Sequence, residues 1–100
     1  MATKLIYGHF VKQDLKEIND WYRQIDKKLW NRFLIDFRNK IDLIKENPLS
    51  FELKYGDTRI VFLKKFPFGI HYSYSEEKNL IEVYSVFHTS RNSEEWNDKK

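Results

Sequence analysis

The chain has no cysteine, only three glycines and two prolines, and no long apolar run in its 100 residues. Without thiols there is no disulfide framework, no thiolate metal ligand and no cysteine nucleophile, a usage that fits a reducing compartment. Gly-rich phosphate loops, H-E-x-x-H, EF-hand and G-x-S-x-G patterns are all missing. Nothing approaches the roughly 20 consecutive apolar residues of a membrane span. The opening MATKLIYGHF also lacks the apolar core and small-residue cleavage site of a signal peptide. A cytoplasmic protein with no membrane partner is expected. His9, His71 and His88 have no metal-ligand spacing, so neither a metal nor another cofactor is expected.

What the chain does have is aromatic bulk. Phe, Tyr and Trp make up 17% of it, so much of the core volume must be ring rather than aliphatic. The length suits one domain, 1–100, with one modest core. A net charge of +3 suggests an anionic partner but falls well short of a polybasic nucleic-acid arm.

Lys4–Phe10 reads as a short edge or N-terminal strand. Val11, Leu15, Ile18, Tyr22 and Ile25 recur at three- and four-residue steps, which predicts a helix over Gln13–Asp26. Trp21 widens its stripe, and Asp14 and Glu17 are expected in the first turn, where negative charge suits the dipole. A second helix is expected from Lys28 to Glu46, with Trp30, Phe33, Leu34, Phe37, Ile41 and Ile44 inward and Asn47-Pro48 as its stop. So short a connection predicts a helix hairpin. Pro48–Gly56 reads as a loop.

Three β-rich runs follow, Thr58–Lys64, Ile70–Ser75 and Leu80–His88, separated by Phe66-Pro67-Phe68-Gly69 and Glu76-Glu77-Lys78-Asn79. They read as an antiparallel meander that the helix hairpin must cover. The expected fold is α+β, in the order β-α-α-β-β-β. Simple alternation puts Ile81, Val83, Ser85 and Phe87 on one face, and Glu82, Tyr84, Val86 and His88 on the other with His71. For the first run, alternation permits either Ile60/Phe62 or Val61/Leu63 to face the helices.

One constellation has a chemical logic: Arg59, His71, Tyr84, His88 and Arg91 on the open sheet face and its C-terminal rim. Metal-free cleavage of RNA needs a base for the ribose 2′-hydroxyl, an acid for the leaving oxygen and cations on the phosphate. His88 titrates near neutral pH and suits the acid or base role. Arg59 and Arg91 suit the phosphate, and Tyr84 or Tyr72 a stacked base. Several of these residues also have a plain structural explanation. His88 at a strand end is often a hydrogen-bonded cap, Arg91 can pair with Glu94 or Glu95, and Arg59 with Asp57. Trp96 can anchor the polar tail.

Several blocks together resemble the RelE/ParE superfamily of toxins from type II toxin–antitoxin systems. They are Asp14-Leu15, Trp21-Tyr22, Arg32-Phe33, Asn47-Pro48, KKFPFGIHY at 64–72 and IEVYSVFHTSRNSEEW at 81–96. The V-x-x-V-x-H-x-x-R run ending in Trp96 is similar to the ParE-type branch, the plasmid stabilisation proteins. The resemblance implies a growth-inhibiting toxin neutralised by a cognate antitoxin that lays an acidic helical segment on the hairpin, with Trp21, Tyr22 and Trp30 as contacts. It implies one of two targets, DNA gyrase for ParE-like members or ribosome-bound mRNA for RelE-like ones. In the second case Arg59, His88 and Arg91 would be catalytic in a metal-independent endoribonuclease. His71, Tyr84 and Lys64 would contact the nucleic acid or target. A non-toxic homologue that only binds antitoxin and regulates its operon is the alternative.

Overall fold

A single residue, Asp26, separates two long helices, and its carboxylate caps the second by accepting the Lys28 N–H at 2.9 Å. The computed structural model describes residues 3–89. Their order is β1 (Lys4–Tyr7), α1 (His9–Ile25), α2 (Lys27–Glu46), β2 (Leu53–Tyr55), β3 (Thr58–Phe62), β4 (Phe68–Ser75) and β5 (Leu80–His88). The sheet runs β1-β5-β4-β3-β2. The expected meander is present as β3, β4 and β5, each antiparallel to the next.

The sheet differs from the expectation in two ways. It is mixed, because β1 pairs with β5 in parallel, Lys4 against Leu80 through Tyr7 against Val83. It also has a fifth strand, since part of the expected Pro48–Gly56 loop forms the short β2, which folds back on β3 around Gly56. Gly56 has φ +50°, a left-handed conformation that glycine adopts without a Cβ penalty.

Helix α1 starts four residues earlier than its apolar stripe suggests. Gly8 is its N-cap, and the first turn carries no acidic residue, so Asp14 and Glu17 are not dipole partners there. The Gly8 N–H bonds to the Val83 carbonyl at 2.8 Å, and a Cβ on Gly8 would lie 3.2 Å from that same oxygen. The chain passes tightly from β1 into α1 at a place where a side chain would crowd the Val83 carbonyl and require a shift of a few tenths of an ångström.

Both helices cover one sheet face. Val11 and Ile18 from α1, and Phe33, Phe37, Ile41 and Ile44 from α2, pack with Val61, Leu63, Phe68, Ile70, Tyr72, Ile81, Val83 and Val86. The pairing of Val61 and Leu63 with this core decides the orientation of β3. Ile60 faces away beside Gly69, and Phe62 is half exposed. Phe33 sits at the centre with no exposed surface, its ring 5.6 and 5.7 Å from Phe66 and Phe68 in edge-on geometry. Trp21 and Ile25, by contrast, lie off the core at 61% and 62% exposure.

The decisive irregularity is a bulge in β5. Ile70 pairs with Val86 and His71 with Ser85, but Tyr72 pairs with Val83, so Tyr84 is an extra residue. Alternation breaks there. Ile81 and Val83 face the helices as expected, but so do Val86 and His88, while Ser85 and Phe87 turn to the opposite face with His71. The sequence-level assignment of those four residues is therefore reversed.

Candidate functional site

Past Val83, β1 has ended and α1 runs beside the edge of β5 instead. Asp14, on α1, takes the place of a strand partner by accepting the Val86 N–H at 3.0 Å. Beyond that contact α1 and the sheet diverge and leave a groove of about 440 Å³. Trp21 and Tyr22 form one wall, Pro67 and Phe68 the floor, and Glu17 and His88 lie at its polar side. Phe68 and His88 are cross-strand partners, with ring centroids 5.2 Å apart at 81°. His88 thus faces carboxylates and apolar rings in a cleft, not the opposite sheet face.

The Phe66-Pro67-Phe68 turn separates this groove from a second hollow. Tyr22 touches the rings of both Phe66 and Phe68, at 5.3 and 6.3 Å, and fixes the turn against α1. Burial raises the Tyr22 phenol above its ordinary pKa. Lys64, expected to contact a nucleic acid or target, stands exposed at the start of this turn and lines the second hollow. Trp30 lines neither. It is stacked on Phe33 at 5.5 Å and 12°, half-buried.

On the face away from the helices, His71 is fully buried at 1% exposure, with Nδ1 3.1 Å from the Tyr55 hydroxyl and Phe87 packed edge-on. Burial drives its pKa down to about 4, so it is neutral at physiological pH. Tyr84 shares this side, its hydroxyl 2.6 Å from the Ser73 Oγ.

Arg59 points to the other end of the sheet. Its guanidinium donates to the carbonyls of Phe51 and Leu49, and its cross-strand neighbour Tyr72 donates its hydroxyl to the Pro48 carbonyl at 2.7 Å. Burial pushes the Tyr72 phenol up to about 12, with the Arg59 charge opposing. Together the two side chains staple the segment after α2 to the sheet. Arg59 and His88 lie two strands apart and four positions apart along β4, which puts their Cα atoms about 16 Å from each other at ordinary sheet spacings. Arg91 and Trp96 lie outside the described residues.

Of the three aromatics expected to contact an antitoxin, Trp21 and Tyr22 line this groove and Trp30 does not, while Asp14 and Glu17 line it without having been singled out for it. An acidic residue of α1 that falls on its apolar stripe between Val11 and Ile18, as Asp14 does, was the available signal.

Comparison with known proteins agrees with this architecture. The fold is that of the toxins of two-component toxin–antitoxin systems. Against the chromosomal ParDE system of P. aeruginosa the TM-score is 0.76 at 13% identity, covering 89% of this chain and 98% of that one. A mutant of the E. coli toxin RelE in its free state gives 0.62 at 20% identity, covering 99% and 94%. The RelBE toxin–antitoxin complex of Mycobacterium tuberculosis gives 0.56 at 12% identity, covering 88% and 99%. No curated relative matches in sequence. The family model of the ParE toxin of the type II toxin–antitoxin system, parDE, matches residues 6–93. The chain belongs to that ParE toxin family. Among the described residues, no helix is long and apolar enough to cross a membrane.

Proposed function

We propose that this toxin acts in the cytoplasm by holding a protein target, DNA gyrase, rather than by cutting ribosome-bound mRNA. One observation carries the reading: Arg59 and His88 serve different ends of the molecule. Cleavage of one phosphodiester needs its acid, base and cations around a single phosphate. Arg59 donates from Nη1 to the Leu49 and Phe51 carbonyls, and its Cα lies about 16 Å from that of His88 at ordinary sheet spacings. His71 supports no proton-transfer role either, because a buried imidazole held near pKa 4 stays neutral while its Nδ1 faces Tyr55. Membership of the ParE family points the same way.

Neutralisation by an antitoxin segment is the second part of the proposal. Its seat is the α1–β5 groove, where Trp21 is exposed beside Tyr22, Pro67 and Phe68. An extended or helical peptide would cover Trp21 and pack on Phe68 there.

The test is a supercoiling reaction with purified gyrase, plasmid and this chain. Loss of supercoiling with accumulation of linear DNA after detergent treatment is expected, and an excess of antitoxin should abolish it. Unchanged supercoiling at saturating toxin would overturn the gyrase assignment.

A further inference from the structure

The α1–β5 groove is opposite in charge to the chain as a whole. Lys and Arg outnumber Asp and Glu by 18 to 15, yet among the described residues Asp14 and Glu17 line the groove and no lysine or arginine does. The hollow of about 510 Å³ across the Phe66-Pro67-Phe68 turn shows the contrast. Arg32, Lys40, Lys64 and Lys65 line it beside the single carboxylate of Asp36. That carboxylate is already held by the Lys64 and Lys65 N–H groups at 3.3 and 2.9 Å and by Lys40 Nζ at 3.4 Å. One turn thus divides a cationic hollow from an anionic, aromatic groove.

Helical spacing puts the groove's charge beside its rings. Glu17 and Trp21 are four residues apart on α1, so an exposed carboxylate and an exposed indole share one face. Tyr22 and Phe68 add two further rings, 6.3 Å apart between centroids. Among the described residues Glu17 accepts one hydrogen bond, from the Gln13 side-chain amide at 3.1 Å, and forms no ion pair. Its charge therefore stands uncompensated beside an apolar wall. Asp14 adds a second carboxylate at the buried end, where it accepts the Val86 N–H.

The chemistry of an occupant follows from those two walls. An aliphatic side chain would cover the rings but strip water from Glu17 without replacing it. A carboxylate or phosphate would meet two like charges. A guanidinium satisfies both walls, because its weakly hydrated planar face stacks on an aromatic ring while its N–H fork donates to a carboxylate. A cleft of about 440 Å³ is large enough to admit it.

We infer that the α1–β5 groove is an arginine-recognition site, in which Trp21 stacks the guanidinium of a partner polypeptide and Glu17 accepts its N–H groups. The inference deepens the reading of this groove as the antitoxin's seat and rests on it for the identity of the polypeptide. The seated segment is basic at this point, whatever its charge elsewhere.

The test is NMR titration of the purified chain with a short peptide whose single central arginine is flanked by alanine and leucine, followed at the amide signals of Glu17, Tyr22 and Phe68. A second peptide carries citrulline in place of arginine, which keeps the shape and removes the charge. Saturable binding of the arginine peptide is expected, with the citrulline peptide about tenfold weaker. Glu17→Gln should weaken the arginine peptide by about fivefold and bring the two peptides close together. Trp21→Ala should remove most of the binding of both. Glu76→Gln, in the exposed turn between β4 and β5, should change nothing. Thermal melts check that these variants, all at exposed positions, stay folded. Absence of arginine-peptide binding, equal affinity of the two peptides, or binding indifferent to Glu17 would each overturn the inference. Antitoxin affinity separates this result from the seat itself. Glu17→Lys and Trp21→Ala should each lower it by roughly tenfold or more. A loss with Trp21→Ala alone would keep the seat and overturn the arginine site. No loss with either would move the antitoxin elsewhere, and the peptide titration then decides the site by itself.

Discussion

The Asp14 carboxylate accepts the Val86 N–H at 3.0 Å, joining α1 to the last strand across 72 residues of sequence. The bulge at Tyr84 is what makes the contact necessary. It turns Val86 toward the helix side at the point where β1 has stopped, so the amide needs an acceptor that no strand supplies among the described residues. A buried carboxylate from α1 meets the need.

Asp14→Ala should therefore cost about 1–3 kcal/mol, the usual penalty for orphaning a buried donor. Asp14→Asn keeps a side-chain acceptor and should lose less. Urea denaturation of the three proteins checks this, and equal stability of Asp14→Ala and the parent would exclude the contact as a support.

His71 makes stability depend on pH. Its folded pKa of about 4 lies below the ordinary value of 6.5, so the unfolded chain binds the proton first. The contribution is complete above pH 6.5, declines as pH falls, and is gone below about 4. At about 1.4 kcal/mol per unit the total loss is about 3 kcal/mol. His71→Phe should flatten this part of the profile, measured by denaturation midpoints between pH 7 and 4. A parent profile without a slope in that window would contradict the buried neutral imidazole.

Arg59 should behave as a structural residue. Arg59→Ala frees the Leu49 and Phe51 carbonyls and should cost about 1–2 kcal/mol, with faster amide exchange in 49–55. Arg59→Lys, whose ammonium sits on a differently shaped head than the guanidinium Nη1 that reaches both carbonyls, should recover only part of the loss. Unchanged exchange in that segment would show that Arg59 is held in place for another purpose.

Trp21 separates folding from binding. At 61% exposure, Trp21→Ala should alter stability by no more than about 0.5 kcal/mol. Antitoxin affinity should fall by about 2 kcal/mol or more if Trp21 anchors the groove. Phe33→Ala is the contrasting control, costing about 3–5 kcal/mol through the cavity it opens. A Trp21→Ala protein that binds antitoxin as the parent does would move the antitoxin seat elsewhere.

Periodicity carried most of this architecture. The stripes of α1 and α2, the Asn47-Pro48 stop and the two meander turns all act over a few residues, and all were legible. What escaped was long-range. Leu80–His88 alternates smoothly enough to conceal a bulge, because Ser85 and Val86 are both acceptable on either face. That one extra residue moved His88 from the side of His71 to the side of Asp14. Arg59 looked like a phosphate ligand because its true acceptors are loop carbonyls, which any sequence contains. The excess of cations beside Asp36 was equally hidden, since it joins α2 to a turn that follows 24 residues after Lys40.

The most direct test of the central claim is induction of this chain alone in a bacterial host, with transcript 5′ ends mapped within minutes of growth arrest. The account predicts arrest with intact coding regions and gyrase-dependent DNA breaks. New 5′ ends within coding regions at a fixed codon register, lost on His88→Ala, would contradict it and return the molecule to the nuclease class.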